Sequence, residues 1–451
     1  MTTQTGPIET LFTKANSNFH NWWTEFKPST QILPQGWVRE PGRRHLKEDM
    51  IWEKDVAIPL RDGVKIRADI FRPAKLEGQK LPALLPWSPY GKTGSGDFYR
   101  ESICRGGIPN FKFWDLLMQE FNGLNKREDV VTMIKKYPLM NEYWEDKKPK
   151  LQNIKIPMLR IHPTQEWFDI YQPETNDDLQ RFLDHYLLAK DNGWELTPKV
   201  RLSMLRYNAP PISFRTEDDY PPSRVQYKTF YLNSSEGKLQ DKAPATDAVT
   251  SYQSDSWEDD GAHFTLTFDK YTELCGFSRA KLFVSCQDFD DMDVYLIIRK
   301  IDRNGKALLN YNIPSIHQKL GQKPEDIPDE NIYKYVGPSG RLRASKRMTA
   351  EEPGLTDEMR TRKNPTELWY PHYESQKVVP GDVVELDIAI WPSGIVFEEG
   401  ESLRFEIKGH DPILPEYPPL FESLENLNVG KHNVHCGPSF PSYVMLPLIS
   451  Y

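Results

Sequence analysis

The first clear strand signal is an alternation of apolar and polar positions that begins at Trp52. Apolar residues fill every second position over 56–60 and again over 64–70. Because Arg61-Asp62-Gly63 between the two runs is a turn sequence, the pattern predicts a β-hairpin. The short apolar run that follows over 81–85 is typical of a buried strand.

Helical periodicity replaces this alternation in other segments. Residues 9–26 predict one or two short amphipathic helices, which we interpret as an arm packed on its own domain rather than as a partner site. Crowded apolar residues predict further helices within 97–144, and strands return over 154–161.

One more helix is indicated by apolar residues at helical spacing over 179–187. Asn176 is the predicted N-cap, with two aspartates in the first turn, and Asn192-Gly193 is the predicted stop signal.

After Val200 the chain consists almost entirely of short candidate strands. They are predicted at 229–232, 262–268, 280–286, 294–301, 383–390 and 402–407. Many short alternating strands separated by Gly and Pro favour a sandwich or jelly roll. The polar, irregular stretch 318–364 is interpreted as a long loop or insertion.

Composition narrows the class of protein. A chain of 451 residues predicts two or more domains, and 38% hydrophobic with 27% charged residues is globular composition. The net charge of −8 comes without a basic stripe, which excludes nucleic acid as an expected partner. No apolar run suggests a membrane span or a signal peptide, so we expect a soluble cytoplasmic protein.

Candidate cofactor and metal chemistry is sparse. We find no P-loop, dinucleotide fingerprint or zinc-helix motif, so no cofactor is expected. The cysteines stand far apart, without metal-ligand spacing, and are expected to be reduced and mostly buried: Cys104, Cys275, Cys286 and Cys436. Calcium is conceivable at the acidic cluster of Asp288, Asp290, Asp291 and Asp293, but the spacing favours a solvated strand entrance, and no metal site is predicted.

Four motifs together resemble one family, the Xaa-Pro dipeptidyl-peptidase and cocaine-esterase-like (CocE/NonD) acyl hydrolases. They are Leu60-Arg61-Asp62-Gly63 through Phe71-Arg72-Pro73, Pro82-Ala83-Leu84-Leu85 running into Ser88-Pro89-Tyr90-Gly91-Lys92, Arg105-Gly106-Gly107-Ile108-Pro109, and Pro380-Gly381-Asp382 through Gly409-His410-Asp411. Each motif is weak alone, but the matching pieces cover most of the chain.

The resemblance implies an α/β plus all-β fold. We expect an N-terminal helical arm over 1–45, an incomplete α/β-hydrolase domain over 46–200 with a helical cap at about 97–150, and a C-terminal jelly-roll β-sandwich of the galactose-binding-like type over 201–451. It also implies acyl transfer by a serine, a histidine and an acidic residue.

By the same resemblance Tyr90 is the oxyanion donor and His162 the triad histidine. A phenol OH can donate to a developing negative oxygen, so the role suits Tyr90. The alternatives are a packing tyrosine in a turn and a half-buried histidine at a strand end.

The nucleophile is missing from this sequence. A nucleophile elbow requires Gly-x-Ser-x-Gly between a strand and a helix, and no serine of the chain lies in that pattern. The nearest sequence, Gly94-Ser95-Gly96, is interpreted as a flexible polar loop. Only Thr93 to Gly96 separate Lys92 from cap-like sequence, which leaves no room for the elbow strand and helix.

A second gap is indicated near Ile156-Pro157-Met158-Leu159-Arg160, where the strand leading to the acidic residue and the strand leading to His162 are fused. Asp169 is a candidate acid, but the family position for that role is lost. Two explanations of these junctions stay open: an incomplete chain from a skipped exon or a faulty gene model, and a true pseudoenzyme.

Two functions are therefore expected from the sequence. The first is a hydrolase of the dipeptidyl-peptidase or esterase type, acting on a small ester or short peptide in its intact relatives and impaired here. The second is a non-catalytic jelly-roll binding module. The resemblance also suggests a homo-oligomer. Loss of central strands should leave the hydrolase half marginally stable, whereas the sandwich has its own core.

Overall fold

The computed structural model describes residues 7–14, 26–39, 41, 44–59, 63, 65–81, 104–109, 111, 126–147, 172–259, 261–313, 321–331, 333–357, 364–414 and 426–451. Two compact units are present, one formed by Met1–Leu11, Glu101–Asp115 and Asp129–Tyr451 and the other by Phe12–Arg100 and Leu116–Glu128. The described residues are mostly β-structure with few helices. The domain boundaries expected near residues 45 and 200 stay predictions.

The described residues form twenty-two strands, which range from two to fifteen residues in length. In chain order they are β1 (Phe12–Lys14), β2 (Ser29–Leu33), β3 (Met50–Pro59), β4 (Lys65–Pro73), β5 (Cys104–Arg105), β6 (Ile108–Pro109), β7 (Lys126–Glu128), β8 (Val200–Met204), β9 (Ile212–Glu217), β10 (Gln226–Asn233), β11 (Lys238–Gln240), β12 (Ala248–Gln253), β13 (Ala262–Thr267), β14 (Thr272–Cys286), β15 (Asp293–Ile301), β16 (Asn310–Tyr311), β17 (Lys334–Tyr335), β18 (Ser339–Arg343), β19 (Val384–Phe397), β20 (Ser402–Lys408), β21 (Lys431–Cys436) and β22 (Tyr443–Ser450). The α-helices are α1 (Val130–Lys136), α2 (Glu142–Asp146) and α3 (Pro173–Leu188). Short 3-10 helices cover Ala74–Leu76, Trp194–Leu196, Pro324–Asp326 and Ala344–Lys346.

The predicted N-terminal hairpin is confirmed. β3 and β4 pair antiparallel, with Val56 opposite Ala68 and Ile58 opposite Ile66, and β2 extends the sheet on the other side of β3. The turn glycine Gly63 has φ +84°, a conformation that glycine adopts without a Cβ penalty.

The helix predicted over 9–26 is wrong at Phe12–Lys14. These residues form β1, which pairs antiparallel with β7. A tertiary strand partner satisfies the main chain and overrides the local helical periodicity. Residues 15–25 lie outside the described part of the chain.

The C-terminal region is a sandwich-like β-structure of eleven strands in the order β12-β21-β14-β19-β18-β15-β20-β13-β11-β10-β22. Because β14 also pairs with β22, the strands from β14 to β22 in this order form a closed ring. All these pairs are antiparallel except β11 with β13. Closure leaves fewer unpaired strand edges exposed to solvent.

The alternation predicted for β19 is confirmed by burial, because Leu386, Ile388 and Ile390 are at most 2% exposed between less buried neighbours. In β20 the apolar residues are equally buried, but so are Glu406 and Lys408, so burial there does not alternate. In β15 burial is continuous, because every residue from Asp293 to Ile298 is buried. These side chains form one core inside the ring of strands.

The stretch 318–364, expected to be a loop or insertion, contains β17, β18 and two 3-10 helices. β18 pairs along its whole length with β15 and is therefore part of the main sheet. The prediction failed because Arg341 and Arg343 make the strand look polar, although both are largely covered.

Helix α1 is confirmed and begins after Asp129, whose side chain accepts a hydrogen bond from Thr132 N. Helix α3 is confirmed in place but not in its ends. It begins at Pro173, so Asn176 lies inside its first turn, and it ends where Ala189 takes a left-handed conformation, before Asn192. Proline is well placed there because its missing N–H is unpaired at a helix start anyway.

Three predicted elements lie wholly or mostly outside the described residues. They are the strands at 81–85 and 154–161 and the apolar segment at 111–121. Among the helices that the structure does describe, none combines the length and hydrophobicity required to cross a bilayer.

Candidate functional site

The residues that the resemblance assigns to catalysis fall outside the described part of the chain. This applies to Tyr90 and His162; the candidate acid Asp169 and the sequence Gly94-Ser95-Gly96 also lie outside the described residues. Their roles stay predictions. The described residues nevertheless contain a dense polar arrangement at the start of β15, which we call the arginine–aspartate cluster: Asp293, Arg341, Arg343, Asp411 and Asn428.

The centre of this cluster is a buried two-point ion pair. Asp293, at the start of β15, is fully buried, and its two carboxylate oxygens accept from Arg343 Nε at 2.7 Å and Arg343 Nη2 at 2.8 Å. Because Asp293 and Arg343 are directly opposite each other on β15 and β18, the sheet register itself creates this fork geometry.

Asn428 fixes the chain on the other side of Asp293. Its side-chain Oδ1 accepts from Asp293 N at 2.8 Å, and its Nδ2 donates to Asp293 O at 2.8 Å and to Gly409 O at 2.7 Å. Leu427 N also donates to the Asp293 carboxylate, at 3.0 Å. The Asn428 side chain therefore connects its own segment to the start of β15 at Asp293 and to Gly409, which follows β20.

A second ion pair lies beside the first. Arg341 Nη1 donates to Asp411 Oδ2 at 2.6 Å, and both side chains are about 95% covered. Tyr295 stands next to both pairs. Its burial, with the nearby carboxylates of Asp293 and Asp411, raises its pKa well above the usual value. The phenol is therefore neutral at any physiological pH.

The glycine-rich motif at 105–109 docks on this cluster. It forms a tight hairpin of β5 and β6 rather than the helical cap sequence that the resemblance suggested. Gly106 O accepts from Arg343 N at 2.7 Å, and a Cβ on Gly106 would lie 2.0 Å from Arg341 O. Only glycine permits this approach. Arg105 completes the contact by donating to Ser339 O at 2.6 Å and lying over Trp391.

The acidic cluster of the sequence differs from the expected solvated strand entrance. Asp291 is 1% exposed and accepts from Met292 N and Ser345 N, while Lys377 binds both Asp290 and Asp291. Among the described residues, no three His, Cys, Asp or Glu side chains are arranged to hold a metal ion.

One serine–histidine contact occurs in the described sheet. Ser285 Oγ lies 2.9 Å from His435 Nε2, and Asn433 Nδ2 approaches the same hydroxyl at 3.5 Å. Ser285 lies within the paired part of strand β14 and is 4% exposed, so no tight bend presents its hydroxyl to a substrate. This pair therefore does not have the geometry of a nucleophile elbow.

Burial also shifts the pKa of one buried histidine and of three buried cysteines toward the neutral form. Burial lowers the pKa of His432, whose Nδ1 lies 3.2 Å from Tyr252 OH, to about 4. Burial raises the pKa of Cys275 to about 12, and it raises those of Cys286 and Cys436 as well. These three cysteines are free and buried, as expected, and their thiols are unreactive.

The arginine–aspartate cluster can position chain segments. Its carboxylates and guanidiniums are already paired. It holds three segments together, namely the hairpin at 104–109, the segment at Asp411 and the segment at Asn428. Sequence reasoning missed Arg341 and Arg343. The available signal was their alternation with Gly340 and Leu342.

The comparisons with known proteins agree with this architecture. The family described as the X-Pro dipeptidyl-peptidase C-terminal non-catalytic domain matches residues 192–445, which is more than half of the chain. The chain therefore belongs to this X-Pro dipeptidyl-peptidase family, as the motifs indicated. The search of curated proteins found no match.

The fold as a whole is also found in solved structures. Two crystal structures of a CocE/NonD family hydrolase from Staphylococcus aureus superpose with TM-scores of 0.73 and 0.72 at 21% sequence identity. The alignments cover 94% and 96% of this chain, and 97% and 99% of those chains. The fold is thus that of a CocE/NonD family hydrolase.

Proposed function

We propose that this chain is a serine acyl-hydrolase relative that has lost its nucleophile and does not turn over acyl substrates. In this proposal an incomplete α/β-hydrolase domain with a helical cap precedes a jelly-roll sandwich of the galactose-binding-like type. Its intact relatives would act in the cytoplasm on a small ester or short peptide, through an acyl-enzyme.

One sequence observation carries the proposal. None of the serines in the 451 residues lies in Gly-x-Ser-x-Gly. A serine that forms an acyl-enzyme must stand on a strained strand-to-helix turn, close to its base and to the oxyanion donors. Tyr90 and His162 would keep the roles of oxyanion donor and general base, but without an activated hydroxyl they have no reaction to assist.

A fluorophosphonate probe tests this proposal, because it labels an activated serine covalently. The purified full chain should give no labelling above that of the heat-denatured protein, while a reference serine esterase in the same reaction is labelled fully. Labelling of a single serine that is lost on substitution of His162→Ala would overturn the proposal.

A binding function is the second candidate, and one surface favours it. Ser251, Asn433 and His435 form a row of polar groups across β12 and β21, joined through the buried Ser285 of β14. Phe440 lies against His435 at the end of this row. Hydroxyl and amide groups beside an aromatic ring suit a neutral polyol such as a sugar.

A glycan array tests the binding candidate. Binding that is lost in Asn433→Ala but kept in the distant surface variant Lys238→Ala would support it. A blank array would leave the first proposal as the better account. A homo-oligomer, proposed from the family resemblance, is checked separately by light scattering.

A further inference from the structure

A small cavity lies where helix α3, the 3-10 helix Trp194–Leu196 and the start of β8 meet. Its volume is about 250 Å³. Arg181 of α3 and Arg201 of β8 line it together with the segment from Gly193 to Pro198. Gly193 has a left-handed conformation at φ +71°, and a Cβ there would meet no atom within 4 Å, so the backbone leaves this side open.

The charges at this cavity do not cancel. Both arginines share one carboxylate, since Asp178 forms an ion pair with Arg201 and lies 4.0 Å from Arg181. Two guanidiniums and one carboxylate leave one positive charge. Asp184 is compensated by Lys190 at 3.0 Å. Glu195, 64% exposed and 3.2 Å from His185, adds one negative charge, which the exposed Lys199 next to the cavity balances.

The guanidiniums are also held in place with donors to spare. Arg181 lies 5.4 Å from the Trp194 ring centre and donates to Thr197 Oγ at 2.5 Å. Arg201 donates to Asp178. Each guanidinium carries five N–H donors, so Arg181 and Arg201 together have ten. Among the described residues, side-chain oxygens accept from only a minority of these donors. Stacking on Trp194 reduces the entropy that Arg181 would lose on binding.

We infer that this cavity is a binding site for a small organic anion bearing a carboxylate or a phosphate group. Paired guanidiniums bind both groups through parallel N–H···O bonds. Leu196, 88% exposed, and Pro198 form an apolar rim that would contact the body of such a ligand. The inference uses none of the residues assigned to catalysis and does not rest on the proposed function.

Isothermal titration and thermal shift of the full chain test the site, with inorganic phosphate and succinate as separate probes. Each is compared with sodium chloride at equal ionic strength. We expect saturable binding of at least one probe, and the stronger one identifies the anion class. Arg181→Gln should weaken that binding at least tenfold, whereas Lys238→Gln, an exposed lysine paired with Glu236, should leave it unchanged.

Arg201→Lys is a second variant, which keeps a positive charge beside Asp178 but removes the planar guanidinium group. It should also weaken binding at least tenfold, without a change in the circular dichroism spectrum. Two results would overturn the inference: a response to phosphate and succinate no larger than that to chloride, or equal affinity in Arg181→Gln and the unchanged protein.

Discussion

The C-terminal sandwich and the three-stranded sheet of β2, β3 and β4 contain similar alternating strands, yet they bury very different amounts of apolar surface. Inside the sandwich one continuous core includes the fully buried Leu282 and Phe405. In the described part of the three-stranded sheet, only Leu33, Ile51 and Asp55 are buried. Ile32 and Phe71 are 63% and 53% exposed.

The difference shows that alternation alone does not provide stability. The sandwich closes its sheet into a ring, so each apolar face lies against another face of the same structure. Among the described residues, the three-stranded sheet has no second sheet packed on it in this way.

The largest effect should follow from truncation in the sandwich core. Phe405→Ala should lower the free energy of unfolding by about 4 kcal/mol, because it leaves a cavity in a fully buried position. Urea denaturation followed by tryptophan fluorescence measures it. A loss below about 1 kcal/mol would mean that the core is loosely packed and that the contrast between the two regions is smaller than described.

Breaking the buried ion pair should cost about 3 kcal/mol. Asp293→Asn leaves the Arg343 guanidinium without its carboxylate in a largely dry site. The matched control is Asp290→Asn, since Asp290 and Lys377 are half exposed and such pairs contribute little. Equal effects of the two substitutions on urea denaturation would refute the role of the arginine–aspartate cluster.

Acid should weaken the sandwich through His432. Its folded pKa is about 4, below the ordinary value of 6.5, so between these pH values the unfolded chain binds the proton more strongly. Stability is therefore complete above pH 6.5 and falls as the pH drops, by about 2 kcal/mol from this group at pH 5.

The test compares unfolding at pH 7.5 and pH 5 in the unchanged protein, in His432→Gln and in the control His45→Gln, which removes an exposed histidine. The acid-induced loss should shrink only in His432→Gln. An unchanged loss in that variant would assign the pH dependence to other groups.

The smallest effect is expected in the three-stranded sheet. Phe71 stacks on Trp52 at 5.5 Å between ring centres but is half exposed, so Phe71→Ala should cost less than about 1 kcal/mol in the main unfolding transition. A cost close to that of Phe405→Ala would show that this sheet unfolds together with the sandwich as one unit.

Sequence patterns predicted the elements whose burial follows a simple period. The β3–β4 hairpin and strands β19 and β20 were found because apolar and polar positions alternate along them, and β15 was found because its apolar run is continuous. Strand β18 was missed because its arginines are covered by ion pairs with Asp293 and Asp411, which lie 50 and 70 residues away along the chain. Such long-range pairing has no local signal.

The candidate site was predictable only in part for the same reason. The acidic positions before β15 and the Arg105-Gly106-Gly107 motif were noticed in the sequence. The sequence did not predict that they lie close together, because their proximity depends on the register of β15 with β18. The start of α3 was also misplaced, since Asn176 resembles an N-cap locally while Pro173 begins the helix three residues earlier.

Limited proteolysis of the full chain, read by mass spectrometry, tests the central contrast most directly. At low protease concentration, the account predicts early cleavage before residue 200 and a persistent fragment that begins near Val200 and extends to the C-terminus. Cleavage at similar rates in both regions, which would mean that the N-terminal sheet is protected as strongly as the sandwich, would contradict it.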